Sequence, residues 1–188
     1  VNARGPGVDL AEICGGEARA TQMGIRRKYT YGPNFDLVAN CDLCDPKDQR
    51  TCLNYFQHNK VLVAVMAPTC GPYGPMSHLN WSLHPETMWA QYRLAQPVAQ
   101  VCGKVALIQL EKHLDFFREQ PNPSSMDQEV PWPEVLAYPN VVQVPYHRCR
   151  CGLRIRAGQH RGLYIKKPST ATVSCAELGQ PFTNLLCN

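Results

Sequence analysis

A chain of 188 residues, 44% hydrophobic and 18% charged, has enough apolar material for one packed core and is not composed like a disordered chain. No apolar run approaches the ~20 residues of a membrane span, and no basic start with an apolar stretch and small-residue cleavage site marks a signal peptide. The net charge of +4 is modest but uneven: between Val135 and Ala176 there is no Asp or Glu, while Arg148, Arg150, Arg154, Arg156, Arg161, Lys166 and Lys167 all fall there, as a polyanion-facing surface would require.

In chain order, Val8 to Ile13 reads as a strand running into Cys14-Gly15-Gly16, with a helix from Glu17 to Arg27 after it. A second strand is expected over Phe35 to Ala39, set between Gly32-Pro33-Asn34 and Asn40-Cys41-Asp42. Asp45 caps and Pro46 opens a helix to about Asn59. Val61 to Met66 is a run of small apolar residues, the pattern of a central parallel strand buried on both faces, and Pro68 ends it. A long helical stretch runs from about Pro85 to Phe117, with a break expected at Pro97. Then come Glu119-Gln120-Pro121, a Pro/Ser-rich loop, a short strand near Val141 to Val144, the basic tract and a β-rich piece through Val173. Strands alternating with helices predict one α/β domain, Rossmann-like, with a mostly parallel sheet, flanking helices and a β-rich C-terminal part.

Ten cysteines allow reduced intracellular thiols or a secreted disulfide scaffold; the chain's size and its apolar strand favour the first. Val at position 1 reads as a trimmed or excised piece of a longer polypeptide. Cys41-x-x-Cys44 and Cys149-x-Cys151 offer four sulfurs, but a second CxxC is missing and Cys44 abuts the Asp45-Pro46 helix start, so no metal is expected.

Four constellations carry chemistry. The glycine turn after the first strand, with Asp36 twenty residues beyond Gly16, is either a ligand cradle at a strand end or a plain turn with a surface acid; it is not GxGxxG, against a dinucleotide. Cys70, in a loop stiffened by Pro68, Gly71 and Pro72 directly after a buried strand, is either a nucleophile or a small buried hydrophobe. Glu119, ahead of Pro121, is a general acid or an exposed loop carboxylate. Arg148 and Arg150, alternating on an expected strand, put their guanidinium groups on one face to grip a phosphate or base edge, or form a solvated basic face.

Taken in order, these features resemble the cytosine-5 methyltransferase family, of the kind embedded in retroelement polyproteins. Asp9-Leu10-Ala11-Glu12-Ile13-Cys14-Gly15-Gly16 resembles its first motif, Pro68-Thr69-Cys70 its Pro-Pro-Cys loop, and Glu119-Gln120-Pro121 its Glu-Asn-Pro motif. His147-Arg148-Cys149-Arg150 resembles its Gln-x-Arg-x-Arg strand, and Tyr164 to Thr170 and Ala67 to Asn80 look like segments of retroelement-borne relatives. Thr69 stands where the family has a second proline, and Gln120 where it has asparagine.

The resemblance implies a class I methyltransferase-type fold, with a cofactor half over about 8–84 and a base-recognition half over about 85–175. It implies S-adenosylmethionine framed by Glu12, Cys14, Gly15, Gly16, Asp36 and Pro68, with Asp42 on the adenine side. It makes Cys70 the base-attacking nucleophile, Glu119 the partner of the ring nitrogen and exocyclic amine, and Arg148 or Arg150 the group steadying the base or its phosphate. Nucleic acid, DNA rather than RNA, would lie along Arg154, Arg156, Arg161, Lys166 and Lys167, inside the cell and with no membrane partner. The altered motifs keep a second class open: a non-catalytic nucleic-acid-binding or assembly module of a retroelement-type polyprotein that retains the fold.

Overall fold

The computed structural model describes residues 7–187. Strand β1 (Val8–Ile13) passes through a glycine turn into helix α1 (Arg19–Arg26), then edge strand β2 (Tyr31–Phe35), helix α2 (Pro46–His58) and strand β3 (Val61–Met66). Helices α3 (Ser77–Leu83) and α4 (Pro85–Glu111) lead to β4 (Asp115–Pro121), and a short helix α5 (Trp132–Leu136) to β5 (Val142–His147). Strand β6 (Pro168–Val173) and helix α6 (Ala176–Gly179) follow. The six strands form one sheet in the order β2-β1-β3-β4-β6-β5. β1 to β4 are parallel, and β6 is antiparallel to both its neighbours, so β5 runs with the parallel set. This is the Rossmann-like α/β sheet expected from the alternation, with one reversed strand in its C-terminal part.

Two faces follow from the pleat. Ala11 and Ile13 of β1, Ala64 and Met66 of β3 and Phe116 of β4 point into a core shared with Cys52 and Phe56 of α2 and Ala99, Cys102, Val105 and Ala106 of α4. Leu10, one residue out of phase with Ala11, meets α1 at Gly24, where a Cβ would lie 2.8 Å from Leu10 Cδ2; α1 therefore covers the opposite face. On the reversed-strand side, Tyr146, Ala171 and Val173 build a smaller core with Phe117, Leu178 and Phe182. The chain leaves β1 toward β2 on one side and returns past it to β3 on the other, which opens a crevice at the carboxyl ends of β1 and β3.

Three expectations about elements are corrected. The second strand is Tyr31–Phe35, not Phe35 to Ala39: the edge position tolerates Pro33, which has no N–H to give a neighbour. Leu37–Ala39 is a 3₁₀ turn instead, because the Asp36 carboxylate accepts the Val38 N–H at 2.9 Å and Asn40 closes it at φ 58°. Helix α4 runs unbroken through Pro97 and stops at Glu111, so Phe116 and Phe117 belong to a strand and not to the helix. Lys112 helps to set that end: its ammonium donates to the carbonyls of Phe56, Gln57 and Asn59, tying the end of α4 to the C-terminus of α2. Among the described residues, no helix is long and apolar enough to cross a membrane.

Candidate active site at the carboxyl ends of the strands

The crevice at the switch point holds a pocket of about 410 Å³, within the range of small-molecule sites. Its lining includes Cys14, Gly16, Asp36, Asp42, Ala67 and Thr69, with Leu37, Leu43, Leu94 and Val98 as apolar walls. Among the described residues, no basic side chain lines it and two carboxylates do. The sulfurs stay neutral thiols. Cys14 is pushed well up by its hydrogen bond with Cys102 and by burial, and Cys44 is raised by burial while its Sγ donates to the Leu94 carbonyl. Burial, then the Asp48 charge, pushes Cys41 up to about 11. At pH 8 only about one part in a thousand of Cys41 is thiolate. Iodoacetamide should therefore label it slowly, and about tenfold faster for each pH unit up to 11, with exposed Cys151 as the internal standard in a timed mass-spectrometric assay.

The glycine turn is closed by its own side chains. Gly15 N–H donates to Asn34 Oδ1 at 3.3 Å, Gly16 N–H to Asp36 Oδ2 at 2.9 Å, and Asn34 Nδ2 to the Gly16 carbonyl at 2.9 Å. Glu12 points away from the pocket: it is buried, and its Oε1 accepts the Thr21 N–H at 2.6 Å in the first turn of α1. That carboxylate fills the position where a helix N-terminus would otherwise receive a phosphate. Of the residues expected around the cofactor, Cys14, Gly16, Asp36 and Asp42 line the pocket, whereas Glu12, Gly15 and Pro68 stand behind its wall. Gly15 has a packing reason to be glycine, since a Cβ there would lie 2.5 Å from Glu12 Oε2 and 2.8 Å from Asn34 Oδ1. Gly15→Ala should lower stability by about 1–3 kcal/mol in urea unfolding. Gly16→Ala meets open space and should cost only about 1 kcal/mol, for its φ of 54°.

Thr69 closes one wall of the pocket, and Cys70 is the next residue, half-buried on a turn whose Cys70 carbonyl accepts the N–H groups of Tyr73 and Gly74. The loop is fastened to the end of β4. Gln120, fully buried, donates from Nε2 to the Pro68 carbonyl at 2.8 Å, and the Tyr73 carbonyl accepts the Ser125 N–H at 3.0 Å. Gln120 went unassigned as an anchor in the sequence; its only signal was an amide at a position that a pleated strand turns inward.

Glu119, one residue earlier on β4, faces the opposite side of the sheet from Gln120, level with Ala171 of β6. Its Oε1 is buried without a hydrogen-bond partner, and Arg148 Nη1 approaches it only to 3.8 Å. A carboxylate oxygen kept from water and left short of a donor is costly, unless a ligand supplies the donor.

The arginine strand is corrected. β5 ends at His147, and Arg148–Cys151 winds a 3₁₀ turn closed by Gly152 at φ 87°, so Arg148 and Arg150 diverge instead of sharing a face. Arg148 turns to Glu119, while Arg150 lines a separate pocket with Cys149, Tyr164, Lys166 and Cys187. The basic tract then folds into an exposed hairpin with a bridge between Arg154 and Tyr164, and the Arg154 guanidinium lies 4.0 Å over the Tyr164 ring. Arg156, Arg161 and Lys166 are exposed on and beside it, and Lys167 half-buried at the start of β6. Cys41 and Cys44 sit near β2 and Cys149 and Cys151 beyond β5, at opposite edges of the sheet, so those four sulfurs cannot share an ion.

No family model and no curated protein matches the chain. Among solved structures it is similar to the S. pombe Dnmt2 methyltransferase, at 9% identity and a TM-score of 0.41, over 90% of this chain and 50% of that one. The chain thus spans about half the length of that methyltransferase.

Proposed function

We propose that the chain is an S-adenosylmethionine-dependent methyltransferase domain that acts on cytosine in nucleic acid through Cys70. What supports this reading is a pocket lined by Asp36 and Asp42 and, among the described residues, by no basic side chain, which reaches Thr69, the residue before Cys70 in a loop that Gln120 fastens at Pro68. The pocket's residues fit a cationic, phosphate-free adenosine derivative better than a nucleotide. Asp36 keeps lone pairs for ribose hydroxyls beyond the two N–H groups it already accepts, Asp42 lies among apolar walls suited to a purine, and Glu12 repels phosphate from the helix N-terminus. When bound, S-adenosylmethionine supplies an electrophilic methyl group.

The chain's own residues do the rest. The Cys70 sulfur adds to carbon 6 of the ring, which turns carbon 5 into an enamine carbon able to take a methyl group; carbon 5 then loses its own proton and the carbon 6–sulfur bond breaks, which restores the ring and frees Cys70. Glu119 shares a proton with the ring nitrogen and accepts from the exocyclic amine, so the base supplies the donor its buried oxygen lacks. Arg148 steadies that carboxylate and the base beside it. A base in a duplex has to leave its stack to reach Cys70, and the exposed basic hairpin offers the charge to hold a nucleic-acid backbone. DNA, an intracellular setting and a larger parent polypeptide belong to the same proposal.

The test is incubation with radiolabelled S-adenosylmethionine and an oligonucleotide carrying 5-fluorocytosine. A denaturation-resistant adduct mapped to Cys70 is expected; no adduct at saturating cofactor sinks the reading. The hairpin favours a second reading, a non-catalytic nucleic-acid-binding module of a retroelement-type polyprotein. That module would bind oligonucleotides with a steep salt dependence and form no adduct.

A further inference from the structure

At the far edge of the sheet, three side chains unconnected with the Cys70 loop converge. The ligand atoms of His147, Cys149 and Cys187 all lie within 4.8 Å of one another. His147 is the last residue of β5, Cys149 sits in the 3₁₀ turn that follows, and Cys187 arrives from forty residues away on the C-terminal tail. The tail is steered there by packing and pairing. Phe182 stacks on Phe117 and Tyr146 at centroid distances of 5.3 and 4.8 Å, and the Leu185 carbonyl accepts the His147 N–H at 2.8 Å. The His147 ring faces the cluster: Nδ1 lies 3.2 Å from Cys187 Sγ and accepts the Cys187 N–H at 2.9 Å, which leaves the ring proton on Nε2, and a metal at Nδ1 would take the place of that N–H.

We infer that His147, Cys149 and Cys187 bind a zinc-class divalent cation, with the fourth position open toward the pocket lined by Arg150, Tyr164 and Lys166. Two thiolates and an imidazole are the donor set that suits a borderline-soft, four-coordinate ion. A Cys–His pair alone would read as nucleophile and base; the second sulfur in the same cluster makes it a ligand set. The two thiols release their protons as the metal enters, so uptake strengthens with pH. The site holds whether or not methyl transfer does, because it shares no ligand with the Cys70 loop or the cofactor pocket. Its structural effect is to clasp the tail to the end of β5 and fix the turn that carries Arg148, one residue from His147 and turned to Glu119.

The experiment is a Co²⁺ titration of the reduced 188-residue chain, followed by displacement with Zn²⁺ and metal analysis after dialysis. Expected are one ion per chain, the visible bands of a tetrahedral cobalt–thiolate site, and loss of at least ~100-fold in affinity for Cys149→Ser or Cys187→Ser. Cys41→Ser with Cys44→Ser, at the opposite edge of the sheet, should bind as the unsubstituted chain does. In case the ligand variants fold poorly, alkylation of the unsubstituted chain gives a second readout: Zn²⁺ should protect Cys149 and Cys187 and leave Cys151 reactive. No cobalt bands in the reduced chain, metal retained by the Cys149→Ser, Cys187→Ser double variant, or a Cys149–Cys187 disulfide formed in a glutathione buffer despite added Zn²⁺ would each overturn the assignment.

Discussion

Cys70→Ala is expected to abolish the covalent adduct and to cut methyl transfer by about 10⁴-fold or more, the scale on which loss of a nucleophile registers. Cofactor affinity should stay within about twofold, since the pocket wall ends at Thr69 and the thiol lies beyond it. That split distinguishes a nucleophile from a buried sulfur. A packing cysteine would lower the unfolding midpoint when removed and leave any activity proportional to the folded fraction. Glu119→Gln makes a second arm. The amide keeps the shape and can donate a hydrogen bond, but it has no acidic proton to transfer to the ring nitrogen, so turnover should fall by roughly 10²–10⁴-fold. Stability should hold or rise, because a buried carboxylate oxygen without a donor is replaced by a neutral group that Arg148 does not need to neutralise. Initial rates with labelled cofactor, calorimetric cofactor binding and urea unfolding on the same preparations separate the outcomes. A Cys70→Ala chain that still methylates at the unsubstituted rate would falsify the mechanism.

Part of this arrangement is legible in the sequence because period and punctuation speak locally. Val61 to Met66 announces a central parallel strand, though not one buried on both faces throughout, since Leu62 is 42% exposed; Asp45-Pro46 announces a helix start with the Asp45 carboxylate accepting the Lys47 N–H at 2.7 Å, and Cys14-Gly15-Gly16 a turn. β4 is hidden for a reason that lies in its energetics. Its inward positions after Phe116 are Arg118 and Gln120, polar groups whose partners lie on other segments, Asp127 and Thr172 for Arg118 and the Pro68 carbonyl for Gln120, so the period-two pattern carries no hydrophobic signature. The 3₁₀ turn at Arg148 escapes the pattern for the opposite reason. An alternating basic run looks like a strand, and the local sign against it is Gly152, whose φ of 87° lets its N–H reach the Cys149 carbonyl and close the turn. The His147, Cys149 and Cys187 cluster depends on a tail docked through Phe182 and Leu185, a tertiary event no spacing rule encodes.

The largest stability effect is expected away from the reacting atoms, at Asp127. Arg118 is 1% exposed, and its guanidinium lies 3.9 Å from the centroid of the Trp132 ring. One carboxylate, Asp127, partners it through Nη2, and the Thr172 hydroxyl accepts from the same nitrogen at 2.9 Å. Nε and Nη1 are buried without partners, and burial lowers the Arg118 pKa against the opposing Asp127 charge. Asp127 also accepts from Gln143 Nε2 at 2.8 Å, so a single carboxylate fastens the segment after β4 to both β4 and β5. Asp127→Ala leaves a buried cation uncompensated and should lower stability by about 3 kcal/mol, the lower end for such pairs because Asp127 keeps 30% of its side chain in water. Replacing both partners, Arg118→Met with Asp127→Asn, should cost less than Asp127→Ala alone, since an apolar chain of similar length fills the space under Trp132 without a charge to neutralise. Urea unfolding of the single and double variants measures the coupling. If Asp127→Ala falls within 0.5 kcal/mol (roughly the scatter of surface substitutions), the ring and Thr172 hold Arg118 unaided. A destabilised pair should also be felt at the Cys70 loop: Arg118 and Gln120 flank Glu119 on one strand, so a shift in β4 loosens the loop that Gln120 holds at Pro68.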